Sequence, residues 1–396
     1  MKVVVAGGGR FFLFKEAAHF NKRGDLGALI SNFPKSRICP EGVDPGKIRN
    51  LPFNGYLAYV LHRFYPRGML PWGFSQLNRL LHWWFGLFIR KNIIPADFYL
   101  LLSSFGLEAI EKIRAKTDAI IVVEHASFHQ QEDKDLVLED AKYWGVKPAR
   151  DWSPEWVVRK EDLEFEAADY VLVPSHAVER SLIKHGVAAE KILINAYGVE
   201  LSEFFPLPKE DDVFRVLQVG QVSQRKGIYT SIEAFVRADI KNSELVFVGP
   251  QDFDANLVER LAGPRRGDIK FEGAVPQNEL VKHYGRASVM VMPSVADGFG
   301  LVVLQALACA RPVLVCENVG ASDYIKQGEN GYVFGLRDSN ALAEHLCTLA
   351  SNAELLQSLS RNAVATVQRG LTWDDYCKRL EDILLARHKE VARSSK

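Results

Sequence analysis

The sequence predicts an α/β protein built from two doubly wound, Rossmann-like parallel-sheet domains facing a cleft. Three observations lead there. Short apolar runs alternate with helical patterns from Lys2 to Ala196. The same alternation restarts at Val213, after a stretch (YGVELSEFFPLPKEDD, Tyr197 to Asp212) with two prolines, a charge run and no periodicity. The 396 residues also exceed what one ordinary core accommodates.

In chain order, Lys2 to Ala6 (KVVVA) reads as a first buried strand, followed by Gly7-Gly8-Gly9 and a helix from about Phe12 to Lys22. This opens like a nucleotide-binding fold, yet the spacing is not GxGxxG, and no acid marks the end of the second strand at Ser31-Asn32. A dinucleotide site is therefore not expected, and the glycines read first as a packed strand–helix corner. Residues 45–96 interrupt the rhythm. Leu77, Leu80, Leu81, Trp84, Phe85 and Phe88 form a helical apolar face, and seven Lys or Arg lie between Asp44 and Asp97 with no acid among them. Two readings stay open for this insertion: a helical pair packed on its own domain, or a surface that lies on an anionic bilayer. The alternation resumes with strands at 98–103 and 118–124. The second ends in Glu124-His125-Ala126-Ser127, at the strand end where open sheets carry function. The acids of residues 132–140 read as a solvated helix face. Strands at 168–174 and 191–196 complete the first half.

Five strands near 214–219, 244–248, 269–272, 287–292 and 312–316 make the second half, and a last helix from Trp373 to about His388 is long enough to cross back to the first. The expected division is 1–197 for the first domain with its insertion, 198–212 for the linker, 213–371 for the second domain, and 372–396 for the crossing helix and tail. With 49 basic and 49 acidic residues, a globally basic nucleic-acid binder is excluded. The five cysteines include no CxxC, and Cys309 and Cys316 lie in apolar runs, which points to free thiols in a reducing compartment. No apolar stretch reaches about 18 residues. The expectation is a cytoplasmic protein with neither a membrane span nor a signal peptide. The histidines form no HxH or HExxH, so no metal site is expected, and the lack of GxSxG removes a serine hydrolase.

Two loops carry the chemistry. After Val216 to Gly220 come Arg225 and Lys226, two cations at a strand's carboxyl end where an anion can sit. After the strand at 287–292 comes PSVADGFGLVVLQALACA, in which the polar side chains Asp297 and Gln305 stand out and Gly298 and Gly300 let the backbone approach a ligand at a helix start.

At these residues the chain resembles the family 4 glycosyltransferases of the GT-B fold. The resemblance rests on YGVELSEFFP (Tyr197 to Pro206), Gly220 with Arg225-Lys226-Gly227, FEGAVP (Phe271 to Pro276), Pro293-Ser294, the 297–305 segment and GENGYVF from Gly328, in family order. In the first domain it is thinner: the glycine loop, His125 and Val173-Pro174-Ser175. It implies a retaining transfer from a nucleoside-diphosphate sugar (UDP-, GDP- or dTDP-linked) without bound cofactor or metal. Arg225 and Lys226 would hold the diphosphate, helped by the N–H groups of Gly298, Phe299, Gly300 and Leu301. Asp297 would take the place of the first acid of the family's E-x7-E motif, at the sugar hydroxyls, and Gln305 that of the second, at the ribose. His125 would reach the sugar near the reacting bond, Gly8 and Gly9 would leave room for phosphate, and the base would stack near Ala274 and Val275. The acceptor would be a glycan or lipid-linked glycan. The motif departs from the family at both ends: Asp297 reaches roughly 1.5 Å less far than a glutamate, and Gln305 loses the charge but keeps an acceptor and gains a donor. An epimerase on the same fold and a non-catalytic nucleotide-sugar binder are the competing classes.

Overall fold

The structure, a computed structural model, describes residues 1–8, 12–64, 72–148 and 153–394. Residues 3–194 build a seven-stranded, all-parallel sheet from β1 (Val3–Gly7), β2 (Leu26–Ser31), β3 (Ile48–Asn50), β4 (Phe98–Leu102), β5 (Ile120–Glu124), β6 (Tyr170–Val173) and β7 (Ile192–Ile194), in the order β3-β2-β1-β4-β5-β6-β7. The central strands β1 and β5 are buried at every position because helices cover both faces, and they are apolar except for Glu124 at the end of β5. Those helices are α1 (Leu13–Arg23), the short α2 (Lys35–Ile38), α3 (Pro52–Phe64), α4 (Trp72–Lys91), α5 (Leu107–Lys116), α6 (Gln130–Trp144), α7 (Glu155–Ala167) and α8 (His176–Lys184).

The insertion is not purely helical. It opens with β3, which pairs with β2 through Leu29–Ile48 to Ser31–Asn50 as the sheet edge. Three residues give too short an alternation to read as a strand. On α4, Leu81, Phe85 and Ile89 are buried against the domain, whereas Leu80 and Trp83 are 57% and 50% exposed. Phe53, Tyr56 and Tyr59 on α3 are each more than 60% exposed. Both readings of the insertion therefore find a surface: one face packs inward and another is left uncovered. Among the described residues no helix is long and apolar enough to cross a membrane.

The second sheet has six parallel strands: β8 (Phe214–Val219), β10 (Ser243–Val248), β12 (Ile269–Gly273), β13 (Val289–Met292), β14 (Val313–Cys316) and β15 (Gly331–Phe334), ordered β12-β10-β8-β13-β14-β15. The two-residue strands β9 (Val222–Ser223) and β11 (Gln251–Asp252) pair separately. Helices α9 (Ile228–Ala238), α10 (Ala255–Ala262), α11 (Leu280–Arg286), α12 (Leu301–Ala308), α13 (Ser339–Ser351) and α14 (Ala353–Gln368) cover it. In both sheets the winding reverses between the first and fourth strands, which opens a crevice at their carboxyl ends.

Two seams join the halves. At one, α15 (Trp373–Ser394) crosses back. His19 on α1 bonds Glu381 at 3.0 Å, Arg23 pairs with Glu381 at 2.8 Å, and Arg379 donates to the Asn195 side chain and the Ala196 carbonyl. At the other, α6 lies against the loop after β8: Gln224 donates to the Val137 carbonyl and to Asp140, and Arg225 pairs with Asp133 at 3.1 Å. This corrects the solvated reading for Asp133 and Asp140, which are buried, while Asp135 and Glu139 are exposed as that reading expects. Charge pattern along one helix does not reveal that another domain will cover it.

Candidate functional site

The carboxyl ends of β8 and β13, neighbours at the reversal of the second sheet, bring the two loops together. Gln218 on β8 holds the first loop by donating to the Lys226 carbonyl at 2.7 Å, and is itself held by the Ser231 hydroxyl at 2.6 Å. Gly227 closes this loop at φ 73°, where a Cβ would lie 2.0 Å from the Pro293 carbonyl oxygen, so the two loops touch backbone to backbone. Val295 N–H donates to the Arg225 carbonyl at 2.9 Å. Gly300 at φ 82° turns the chain into α12, whose first N–H groups have no partners within the helix.

On this frame Lys226 forms a short ion pair with Asp297, whose other carboxylate oxygen accepts from Phe299 N–H at 3.2 Å. Burial pushes the Asp297 carboxyl up. Lys226 beside it, with Arg225 and the Phe299 N–H, more than offsets this and holds it below the usual aspartate range. Each cation proposed for a diphosphate thus faces an acid: Lys226 meets Asp297 of its own domain, and Arg225 meets Asp133 of the other. Gly298 packs against the first domain so closely that a Cβ would come 2.0 Å from the Ala126 carbonyl oxygen. Ser175 at the start of α8 donates to the Gly298 carbonyl at 2.8 Å.

One turn into α12, Gln305 and Leu301 line a cavity of about 760 Å³ between the domains. Phe14 and Lys15 of α1 form the opposite wall, with Glu203, Gln277 and Asn278 at the rim. Ala274 and Val275 are not among its lining residues, but Gln277 and Asn278, two and three residues on from Val275, are. Lys15, which pairs with Glu200 at 3.4 Å, was not singled out from the sequence. Its position in a helical KEAAH run gave no signal.

In the first domain His125 is 2% exposed. Its Nδ1 lies 3.1 Å from the Ser103 hydroxyl and its Nε2 3.3 Å from the Phe128 carbonyl oxygen, an arrangement met by a neutral ring with the proton on Nε2. Burial depresses its pKa to about 4, and the Phe128 carbonyl only partly restores it. Glu164 of α7 fastens the loop that carries Ser103, accepting from the N–H groups of Ser104, Gly106 and Leu107. Beside Gly8 the space is filled by the Phe105 ring, 2.5 Å from where a Cβ would stand. Gly9 lies outside the described residues. Gly220 has φ 122° and open space where a Cβ would be.

Next to His125 lies a buried carboxyl pair that no sequence pattern marks. Glu124 at the end of β5 is 1% exposed, and apart from Glu16 of α1 neither of its oxygens has a hydrogen-bond partner among the described residues. Glu16 accepts from the Tyr376 hydroxyl of α15. Burial raises Glu16 to about 7 and, with the Glu16 charge, raises Glu124 well above the carboxylate range. Burial thus favours the protonated form of the pair.

Residues 200–366 match the family Glycosyl transferases group 1. Among curated proteins the chain is 28% identical over 233 residues to the sulfoquinovosyl transferase SQD2 of Arabidopsis thaliana, covering 56% of this chain and 44% of that protein. It is 27% identical to the amylovoran biosynthesis glycosyltransferase AmsK of Erwinia amylovora, covering 49% and 53%. The chain spans about half the length of the curated relatives it matches. Among solved structures, sucrose-phosphate synthase of Thermosynechococcus elongatus superposes with a TM-score of 0.65 at 19% identity over 99% of this chain and 100% of that one. Anabaena HepE, solved with UDP and glucose, gives 0.66 at 16% over 97% and 99%. The fold is the two-domain GT-B arrangement.

Proposed function

We propose that the chain, whose residues 200–366 match the group 1 glycosyl transferases, is a retaining, family 4 enzyme moving a sugar from a nucleoside-diphosphate sugar to a glycan or lipid-linked acceptor. The observation that carries the reading is the meeting of Arg225, Lys226 and the start of α12 at the reversal of the second sheet, beside the cavity lined by Gln305. HepE, of the same fold, was solved with UDP and glucose. The diphosphate lies against Arg225, Lys226 and the N–H groups from Gly298 to Leu301, which stabilise the negative charge that grows as it leaves. Asp297 and Asp133 then give up their cations, and Asp297 is freed toward the sugar hydroxyls. The nucleoside occupies the cavity against Gln305, with the base toward Ala274 and Val275. His125, neutral through the physiological range, offers hydrogen bonding near the reacting bond rather than charge. The acceptor enters over the first domain. The retaining outcome rests on the family resemblance.

The test is incubation with UDP-, GDP- and dTDP-sugars, following nucleoside diphosphate released and sugar isomerised. Release that depends on acceptor supports transfer, and isomerisation without acceptor indicates an epimerase. Binding without turnover indicates a non-catalytic protein, the outcome that the Asp297–Lys226 pair would favour if it does not open. The uncovered aromatic face of α3 and α4, with Arg79, Arg90 and Lys91 around it, supports contact with an anionic membrane that presents a lipid-linked acceptor. Absence of co-sedimentation with anionic vesicles removes that part.

A further inference from the structure

Outside the cleft, a groove of about 730 Å³ runs between α4 and α7 on the first domain. Each helix gives it one stripe. Gln76, Arg79, Leu80 and Trp83 recur at i, i+3, i+4 and i+7 on α4, and Glu155, Trp156, Arg159 and Leu163 share one side of α7. Leu107 and Glu108, in the first turn of α5, make the floor. Helices between parallel strands run back against them, so the starts of α5 and α7 put this groove at the carboxyl-end rim of the first sheet.

Both helices serve the fold with their other faces. Leu81, Phe85 and Ile89 of α4 are buried in the domain, and Glu161 and Glu164 of α7 bond the loop after β4. On the groove side Leu80, Trp83 and Leu163 stay exposed. Lys160 holds Glu108 through both carboxylate oxygens, at 2.8 and 2.9 Å. Arg79 and Arg159 form no ion pair or side-chain hydrogen bond among the described residues, and Glu155, one turn before Arg159, pairs with neither. Two guanidinium forks therefore stand beside indole faces in a groove of ligand size. The Trp156 ring meets His82 edge-on at 5.2 Å, His82 stacks on Phe105 at 4.3 Å, and its Nδ1 lies 3.0 Å from the Ser104 carbonyl oxygen. This layer separates the groove from Ser103 and His125.

We propose that the groove holds an anionic saccharide unit of the acceptor, a sugar ring bearing a phosphate or a carboxylate, outside the transfer centre. A pyranose has an apolar C–H face that lies on an indole such as Trp83, while its anion takes the planar forks of Arg79 and Arg159. That the saccharide belongs to the acceptor rests on the transferase reading above; its binding does not.

The experiment is ligand-observed NMR titration of wild type, Trp83→Ala, Arg159→Gln and Lys226→Ala. The probes are the 1-phosphates of glucose, galactose, mannose and N-acetylglucosamine, glucuronate, galacturonate, methyl glucoside and inorganic phosphate. At least one sugar phosphate or uronate binds wild type, and loss of the anion or of the ring weakens binding about tenfold. Arg159→Gln and Trp83→Ala each weaken it about fivefold or more, while Lys226→Ala leaves it unchanged. Preference for the 1-phosphates identifies a phosphorylated head group, and preference for uronates an acidic glycan. The assignment is overturned if no probe binds, if inorganic phosphate binds as well as any sugar phosphate, or if Lys226→Ala alone abolishes binding. It is equally overturned if Arg159→Gln loses co-sedimentation with anionic vesicles while every saccharide is ignored, which makes the groove a membrane contact. Both groove side chains are exposed, and unchanged melting temperatures separate these results from misfolding. Saccharide binding without transfer from any nucleotide sugar keeps the groove and removes the transferase reading; transfer without such binding does the reverse.

Discussion

The carboxyl ends of the two sheets solve opposite electrostatic problems. In the second domain the charged groups each meet an opposite charge, Lys226 with Asp297 and Arg225 with Asp133, and its cationic neighbours hold Asp297 below the usual aspartate range. In the first domain Glu16, Glu124 and His125 are sealed from water, and burial drives all three toward their uncharged forms. The difference follows from what each end must do. Under the proposed function, a loop that exchanges its partner for a diphosphate needs its cations within reach of the cleft. A wall that packs against the crossing helix through Tyr376 and against the DGFG turn through Ala126 excludes water and tolerates little net charge.

The largest effect that would break this comparison is at Lys226. Removing it in Lys226→Ala takes away the cation that the proposed function sets against the leaving diphosphate and leaves Asp297 without its ion-pair partner. Turnover is expected to fall about a hundredfold or more, with weaker nucleoside-diphosphate binding by calorimetry. Unchanged affinity would end the phosphate assignment.

The next is the pH dependence of the first domain. Glu16 has a folded pKa of about 7 against an ordinary value of 4.5. Between these values the folded state holds more protons than the unfolded one, so stability is full below about pH 4.5 and declines as pH rises toward 7. The slope is about 1.4 kcal/mol per pH unit for one such group. In Glu16→Gln the difference between urea denaturation midpoints at pH 5 and pH 8 should shrink. A wild-type protein equally stable at both would show that the pair holds no extra proton. His125 works the other way. Its depressed pKa makes stability rise from pH 4 to 6.5 and leaves it neutral above, so it adds no inflection to the rate between pH 6 and 8.

The smallest predicted effect sharpens the comparison at the seam. Asp133→Asn relieves Arg225 of its interdomain partner and should tighten nucleoside-diphosphate binding by about fivefold or less. Looser binding in that variant would mean that Asp133 positions Arg225 rather than competing for it.

Much of the fold was legible because parallel strands buried on both faces write themselves as apolar runs. β1, β5, β8 and β13 all appear in the sequence near their observed limits. β3 was not legible, as three residues at a sheet edge leave no period to read. The DGFG turn and the Arg225-Lys226 pair could be found because glycine and adjacent cations are rare at strand ends without a reason. Glu16 could not: within KEAAH it is one more polar helix residue, and only packing reveals that it faces the sheet. Asp133 and Asp140 misled for the same reason, since an acidic run reads alike whether water or another domain covers it.

By itself the chain determined two parallel-sheet halves, the linker between them and the loops that carry its polar groups, because these depend on hydrophobic period and on the backbone freedom of glycine. Which groups meet was decided only by the tertiary structure. The ion pairs of Lys226 and Arg225, the buried carboxyl pair of Glu16 and Glu124, and the Tyr284 hydroxyl on Gln305 each join residues 21 to 108 positions apart. Their charge state and polarity come from burial and neighbours, which no local pattern encodes.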